Sequence, residues 1–111
     1  MQPKSNLWIE KDGEVVLSKW RVDLLRAIDE TGSISSAAEK MQVSYHRAWE
    51  KVHEMETRLS ASLVETQTGG AHGGGAKLTP AARNYMARFE RFSQGMDDLV
   101  ARHFLEAFGP Q

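Results

Sequence analysis

A chain of 111 residues, 41% of them hydrophobic and 26% charged, has the size and make-up of one soluble globular domain with a single modest core. It has no cysteine, which excludes disulfides and thiolate metal sites, and no apolar run near the ~18 residues that cross a bilayer. Met1-Gln2-Pro3-Lys4-Ser5-Asn6 leads into no signal-peptide core, so the expected setting is the cytoplasm. The net charge of −1 gives no overall basic pull, and any attraction to phosphates has to come from where the charges sit.

In chain order, Leu7-Trp8-Ile9 and Val15-Val16-Leu17 flank Asp12-Gly13, a hairpin signal because glycine accepts positive φ without strain. Ser18 can cap a helix to about Glu30 that carries Trp20, Leu24, Leu25 and Ile28 at helical spacing; Thr31-Gly32 ends it. The run from Gly32 to Trp49 then reads as two short helices and a tight turn, with Ser35 capping the first and Ser44 the second. Ala37 and Ala38 allow close helix approach. This is the helix–turn–helix that places its second member in a DNA major groove. That second helix should run from Tyr45 to about Leu59, with Ala48, Val52, Met55 and Leu59 facing the core.

Leu63 to Thr68 reads as a strand by its β-branched content, and Lys77-Leu78-Thr79 can pair back across a glycine-rich tip. A two-stranded ribbon after a helix–turn–helix is a wing. Thr79-Pro80 opens a last helix to about Ala107, near 40 Å long. Tyr85, Phe89, Phe92, Met96, Leu99 and His103 step by four and three along it. That is a coiled-coil seam, expected to join two copies of the chain. The fold class expected is mainly α with a small β wing, a single winged helix–turn–helix domain over 1–111. Its helix–turn–helix spans about 35–59, its wing about 63–79 and its dimerisation helix about 80–107.

A helix in the major groove reaches base edges with its N-terminal residues, here Ser44, Tyr45, His46 and Arg47, with Glu50 and Lys51 one turn on. Arginine chelates guanine, and hydroxyls reach bases or phosphates. Ser35, Ser36 and Lys77, with the wing glycines and His72, are the candidate phosphate contacts. Trp49 lies between core stripe and outer face and is expected to pack rather than to touch DNA. The glycine segment is no Walker loop, because Gly75 leads through Ala76-Lys77-Leu78 into a strand. His46 and His53 are seven residues apart with no His-Glu-x-x-His run, so no metal is expected. No serine sits in a strand–turn–helix elbow; neither a cofactor nor an enzyme is indicated.

With these residues in view, the chain resembles the DNA-binding part of the molybdate-responsive regulators called ModE, whose helix–turn–helix is LysR-like. The motifs are Gly32-Ser33-Ile34-Ser35 with Ala37-Ala38, then Ser44-Tyr45, Ala48-Trp49 and Glu54-Met55. They continue through Leu63-Val64-Glu65-Thr66, Gly69-Gly70, Gly73-Gly74-Gly75 and Leu78-Thr79, from about Leu24 to Thr79 in all. The glycine-rich wing beside Ser44-Tyr45 and Ala48-Trp49 sets the pattern apart from the similar LysR-type helix–turn–helix. The resemblance implies a bacterial or archaeal regulator that binds double-stranded DNA at a palindromic operator as a homodimer. Members of the family also carry a C-terminal oxyanion-binding module. The sequence to Gln111 has no room for it, and direct molybdate binding is not expected. Two other readings remain: a winged helix that binds protein, which the near-neutral charge favours, and an oxyanion sensor with its site at a dimer interface.

Overall fold

The computed structural model describes residues 1–67 and 74–111. Strand β1 (Trp8–Lys11) pairs antiparallel with β2 (Glu14–Ser18). Asp12 and Gly13 turn the chain at φ of 54° and 81°, the left-handed pair whose twist matches that of the flanking strands. Ser18 caps α1 (Lys19–Thr31) by accepting the Arg21 N–H at 3.2 Å, and Gly32 closes it at φ 82°.

Helix α2 (Ile34–Met41) starts earlier than expected. Ser33, not Ser35, is the cap, its hydroxyl accepting the Ser36 N–H at 3.0 Å. The reason lies in Ile34, which is 5% exposed: only an early start turns it into the core at the first helical position. Ser35 and Ser36 are left exposed on the first turn. Gln42 takes the left-handed conformation after α2, and the Val43 N–H bonds back to the Ala38 carbonyl. Ser44 then caps α3 (Tyr45–Leu59), accepting the Arg47 N–H at 3.1 Å. Ala37, Ala38 and Ala48 are all buried, so the two helices meet through methyl groups. Leu24, Leu25, Ile28, Val52, Met55 and Leu63 fill the core behind them.

The wing is an antiparallel pair, β3 (Val64–Gln67) with β4 (Gly75–Leu78), in the register Val64 to Leu78 and Gln67 to Gly75. β4 begins two residues before the expected Lys77 because Ala76 and Gly75 pair with Thr66 and Gln67; the Ala76 N–H itself donates to the Gly32 carbonyl at 2.8 Å. A Cβ on Gly74 would lie 2.7 Å from the Gln67 carbonyl oxygen, so this position demands glycine. His72, with Gly69, Gly70 and Gly73, lies outside the described residues. Thr79 joins wing to helix. It is buried and satisfied, donating its hydroxyl to the Ser62 carbonyl at 2.7 Å and accepting the Ala82 N–H at 3.1 Å.

Helix α4 (Pro80–Phe108) has 29 residues, hence about 43 Å of length. Its apolar seam divides. Phe89 is 4% exposed, in a cluster with Val16, Leu17 and Val22, and Tyr85 packs against the same group. Of these two side chains expected at an interface between copies, Phe89 is thus buried within the protomer, and Tyr85 is half-buried against the same group. The seam pattern is the same whichever partner covers it. Further along, Phe92, Leu105 and Phe108 are exposed, and Met96 and Leu99 are half-buried. The N-terminal segment runs beside this stretch, with the Ser5 hydroxyl 3.4 Å from the Asp97 carboxylate. Among the described residues, no helix is long and apolar enough to cross a membrane.

Candidate nucleic-acid interface

Helix α3 presents three distinct sides. Ala48, Val52 and Met55 are buried behind it. One flank carries Arg47, Lys51, Glu54 and Arg58 and is fastened to α1 and the hairpin. The Glu54 carboxylate lies 3.1 Å from Arg21 Nη2, 3.2 Å from Lys51 Nζ and 3.5 Å from Arg58 Nη2. Arg58 continues to the Glu14 carboxylate at 3.2 Å and donates to the Val15 carbonyl at 2.8 Å. Burial pushes the Glu54 carboxyl up, but hydrogen bonds and charge from Lys51 and Arg21 outweigh it and hold the group below the usual carboxylate range. This clamp sets how α3 sits across α1.

The third side faces away from the core. His46, Trp49, Glu50 and His53 follow one another at the three- and four-residue spacing that makes a continuous patch. His46 Nε2 lies 3.6 Å from the Glu50 carboxylate. Trp49 is 41% exposed and belongs to neither core cluster, against the expectation that it packs inside. Its ring stacks on His53 at 3.8 Å between centroids and 24° between planes. His53 Nδ1 is 2.9 Å from the Trp49 carbonyl oxygen. A carbonyl only accepts, so that bond places the proton on Nδ1 and leaves Nε2 free of it in the neutral ring.

The structure distributes the sequence candidates unevenly. Ser44, Tyr45, His46 and Arg47 share the exposed first turn of α3, with Glu50 following. Arg47 has no carboxylate partner among the described residues; its guanidinium sits 5.8 Å from the Trp20 ring centroid, a cation–π distance. Lys51 is drawn into the clamp, its side chain 22% exposed. Lys77 stands across the wing from Glu65, 3.9 Å away. Sequence reasoning missed Trp20 as a seat for Arg47, and it missed Arg21 and Arg58 as members of the clamp. It also missed Glu56, whose carboxylate accepts the Leu63 and Val64 N–H groups at 2.8 and 3.2 Å and fastens β3 to α3. Only the Glu54–Arg58 spacing of four residues announced any of this in advance.

Residues 21–83 match the family model for bacterial regulatory helix-turn-helix proteins of the lysR family. The chain belongs to that family. The match runs from α1 through the wing into the start of α4. The ModE resemblance holds alongside it. The molybdenum-pterin-binding protein MopB of Rhodobacter capsulatus is 43% identical over 81 residues, 73% of this chain and 30% of the relative. The transcriptional regulator ModE of Yersinia pestis is 39% identical over 79 residues, 71% of this chain and 30% of its own length. The dual regulator ModE of Escherichia coli is 33% identical over 94 residues, 85% of this chain and 36% of its own length. The chain thus spans about a third of these relatives. Among solved structures, the CbnR DNA-binding domain in complex with DNA superposes with a TM-score of 0.59 at 22% identity, covering 78% of this chain and 94% of that one. DarR of Vibrio fischeri, also in complex with DNA, gives 0.61 at 15% identity, covering 85% and 31%. These likenesses establish the LysR-type winged-helix fold.

Proposed function

We propose that this chain is a sequence-specific DNA-binding transcriptional regulator of the ModE type, acting in the cytoplasm on genes that serve molybdate metabolism. The observation that carries the reading is the exposed, serine-capped first turn of α3 within a LysR-type helix–turn–helix. Tyr45, His46 and Arg47 stand where a recognition helix meets base edges, and Arg47 is the cation among them without a carboxylate. Ser35 and Ser36, exposed at the start of α2, are placed for backbone phosphates, as is Lys77 on the wing. The names of the relatives support the link to molybdenum. The whole chain acts as one winged-helix unit. Two copies join through Phe92, Met96 and Leu99, and the resulting two-fold axis makes the operator an inverted repeat. Direct binding of molybdate forms no part of this reading.

The test is retention of genomic fragments on the purified protein at several salt concentrations, followed by sequencing. An inverted repeat is expected, with the logarithm of affinity falling linearly in the logarithm of salt as counterions are released. Arg47→Ala should cost roughly 1–3 kcal/mol at that operator and less on random DNA. Equal losses on both would move Arg47 from bases to phosphates. No retention at low salt, with or without molybdate, would overturn DNA binding in favour of a protein-binding winged helix.

A further inference from the structure

We propose that Trp49, held flat by His53, reads a thymine methyl group in the major groove of the operator. The inference rests on the DNA-binding reading above and assigns part of its specificity to two residues outside the expected contact set. Trp49 is the fifth residue of α3, in the N-terminal half of the helix, and it shares its exposed patch with His46, Glu50 and His53. A single exposed apolar residue is ordinary on a protein surface. Trp49 differs because its orientation is fixed. Its ring is covered on one side by His53, and His53 is itself tied through Nδ1 to the Trp49 carbonyl. The two side chains form a closed brace within one helical turn, so the indole costs little further entropy when something settles on it.

The chemistry of the patch selects bases over backbone. A surface built for phosphates gathers cations, whereas this one sets a half-exposed carboxylate, Glu50, beside the indole. Carboxylates suit the amino groups of cytosine or adenine. The indole offers an apolar surface and one N–H donor. The major groove shows a single apolar group, the C5 methyl of thymine. An apolar plate next to an acceptor therefore fits a thymine with an amine-bearing base beside it or paired to it.

The experiment uses the operator recovered by selection and replaces each thymine in turn by deoxyuridine, which lacks only that methyl. Affinities are measured for the wild-type chain, Trp49→Ala, Trp49→Phe and His53→Phe. One thymine per half-site should matter, with removal of its methyl weakening wild-type binding about fourfold. Trp49→Ala should bind both operators equally, while Trp49→Phe and His53→Phe keep the discrimination because each retains a stacked apolar plate. The aromatic variants also guard against misfolding of Trp49→Ala, whose thermal melt is followed in parallel. The proposal is overturned if no deoxyuridine weakens the wild type, or if the penalty persists unchanged in Trp49→Ala. It is equally overturned if Trp49→Ala binds and discriminates normally but loses a co-purifying protein, which would make the patch a protein-docking surface. Failure of the wild type on unmodified operator would instead remove the DNA reading, and this inference with it.

Discussion

The two halves of α4 are built from one repeating apolar pattern and meet opposite ends. In the first half, Ala82, Tyr85, Met86 and Phe89 close over α1, β2 and the wing and are spent on the protomer's own core. Beyond Phe89, the side chains of Phe92, Leu105 and Phe108 stand exposed along a stretch that the N-terminal segment accompanies. The difference teaches that a seam read from sequence reports that a stripe will be covered, and leaves open what covers it. Helix α3 repeats the lesson. Its flank is clamped inward through Glu54, while its outer patch is left to solvent.

The strongest way to break the comparison is Phe89→Ala. If Phe89 belongs to the protomer, the change should cost about 3–5 kcal/mol in chemical denaturation, at any protein concentration. A cost that vanished on dilution would return Phe89 to the interface between copies. Next comes the paired change Phe92→Asp with Leu99→Asp. It should weaken dimerisation by roughly 100-fold or more in sedimentation experiments, while leaving the melting of the monomer close to unchanged. Binding to a single half-site should survive, and the advantage of the inverted repeat should disappear. The smallest effect sharpens the comparison on α3. Because the folded Glu54 carboxyl lies below its ordinary value, its ionised form stabilises the fold above the unfolded value, and that contribution is lost as pH falls through the folded one. Glu54→Gln should therefore cost about 1 kcal/mol at neutral pH and reduce the loss of stability on acidification, as followed by urea melts across pH.

What was legible in the sequence was local. The Asp12-Gly13 turn, the caps Ser18 and Ser44, and the stop at Gly32 each depend on a handful of neighbouring residues, and each stands where the pattern placed it. The cap of α2 went astray because Gly32-Ser33-Ile34-Ser35-Ser36 offers three serines, and the choice among them is made by the burial of Ile34. The clamp was out of reach for a different reason. Arg21 and Glu54 are 33 residues apart, and Arg58 and Val15 are 43 apart. No periodicity links such positions; only the packing of α3 across α1 and β2 does. Trp49 sits at the border of the apolar stripe, where a helical projection assigns a ring to neither side, and its stacking on His53 is a matter of rotamer rather than of spacing.

The bond from the Ala76 N–H to the Gly32 carbonyl has a mechanical consequence. Gly32 is the last residue before the α2 cap, so the base of the wing is fastened by main chain to the threshold of the helix–turn–helix. Only proline at position 76, which lacks the N–H, would delete that bond by substitution. The ribbon and the helix–turn–helix are accordingly held in one fixed relation by main chain.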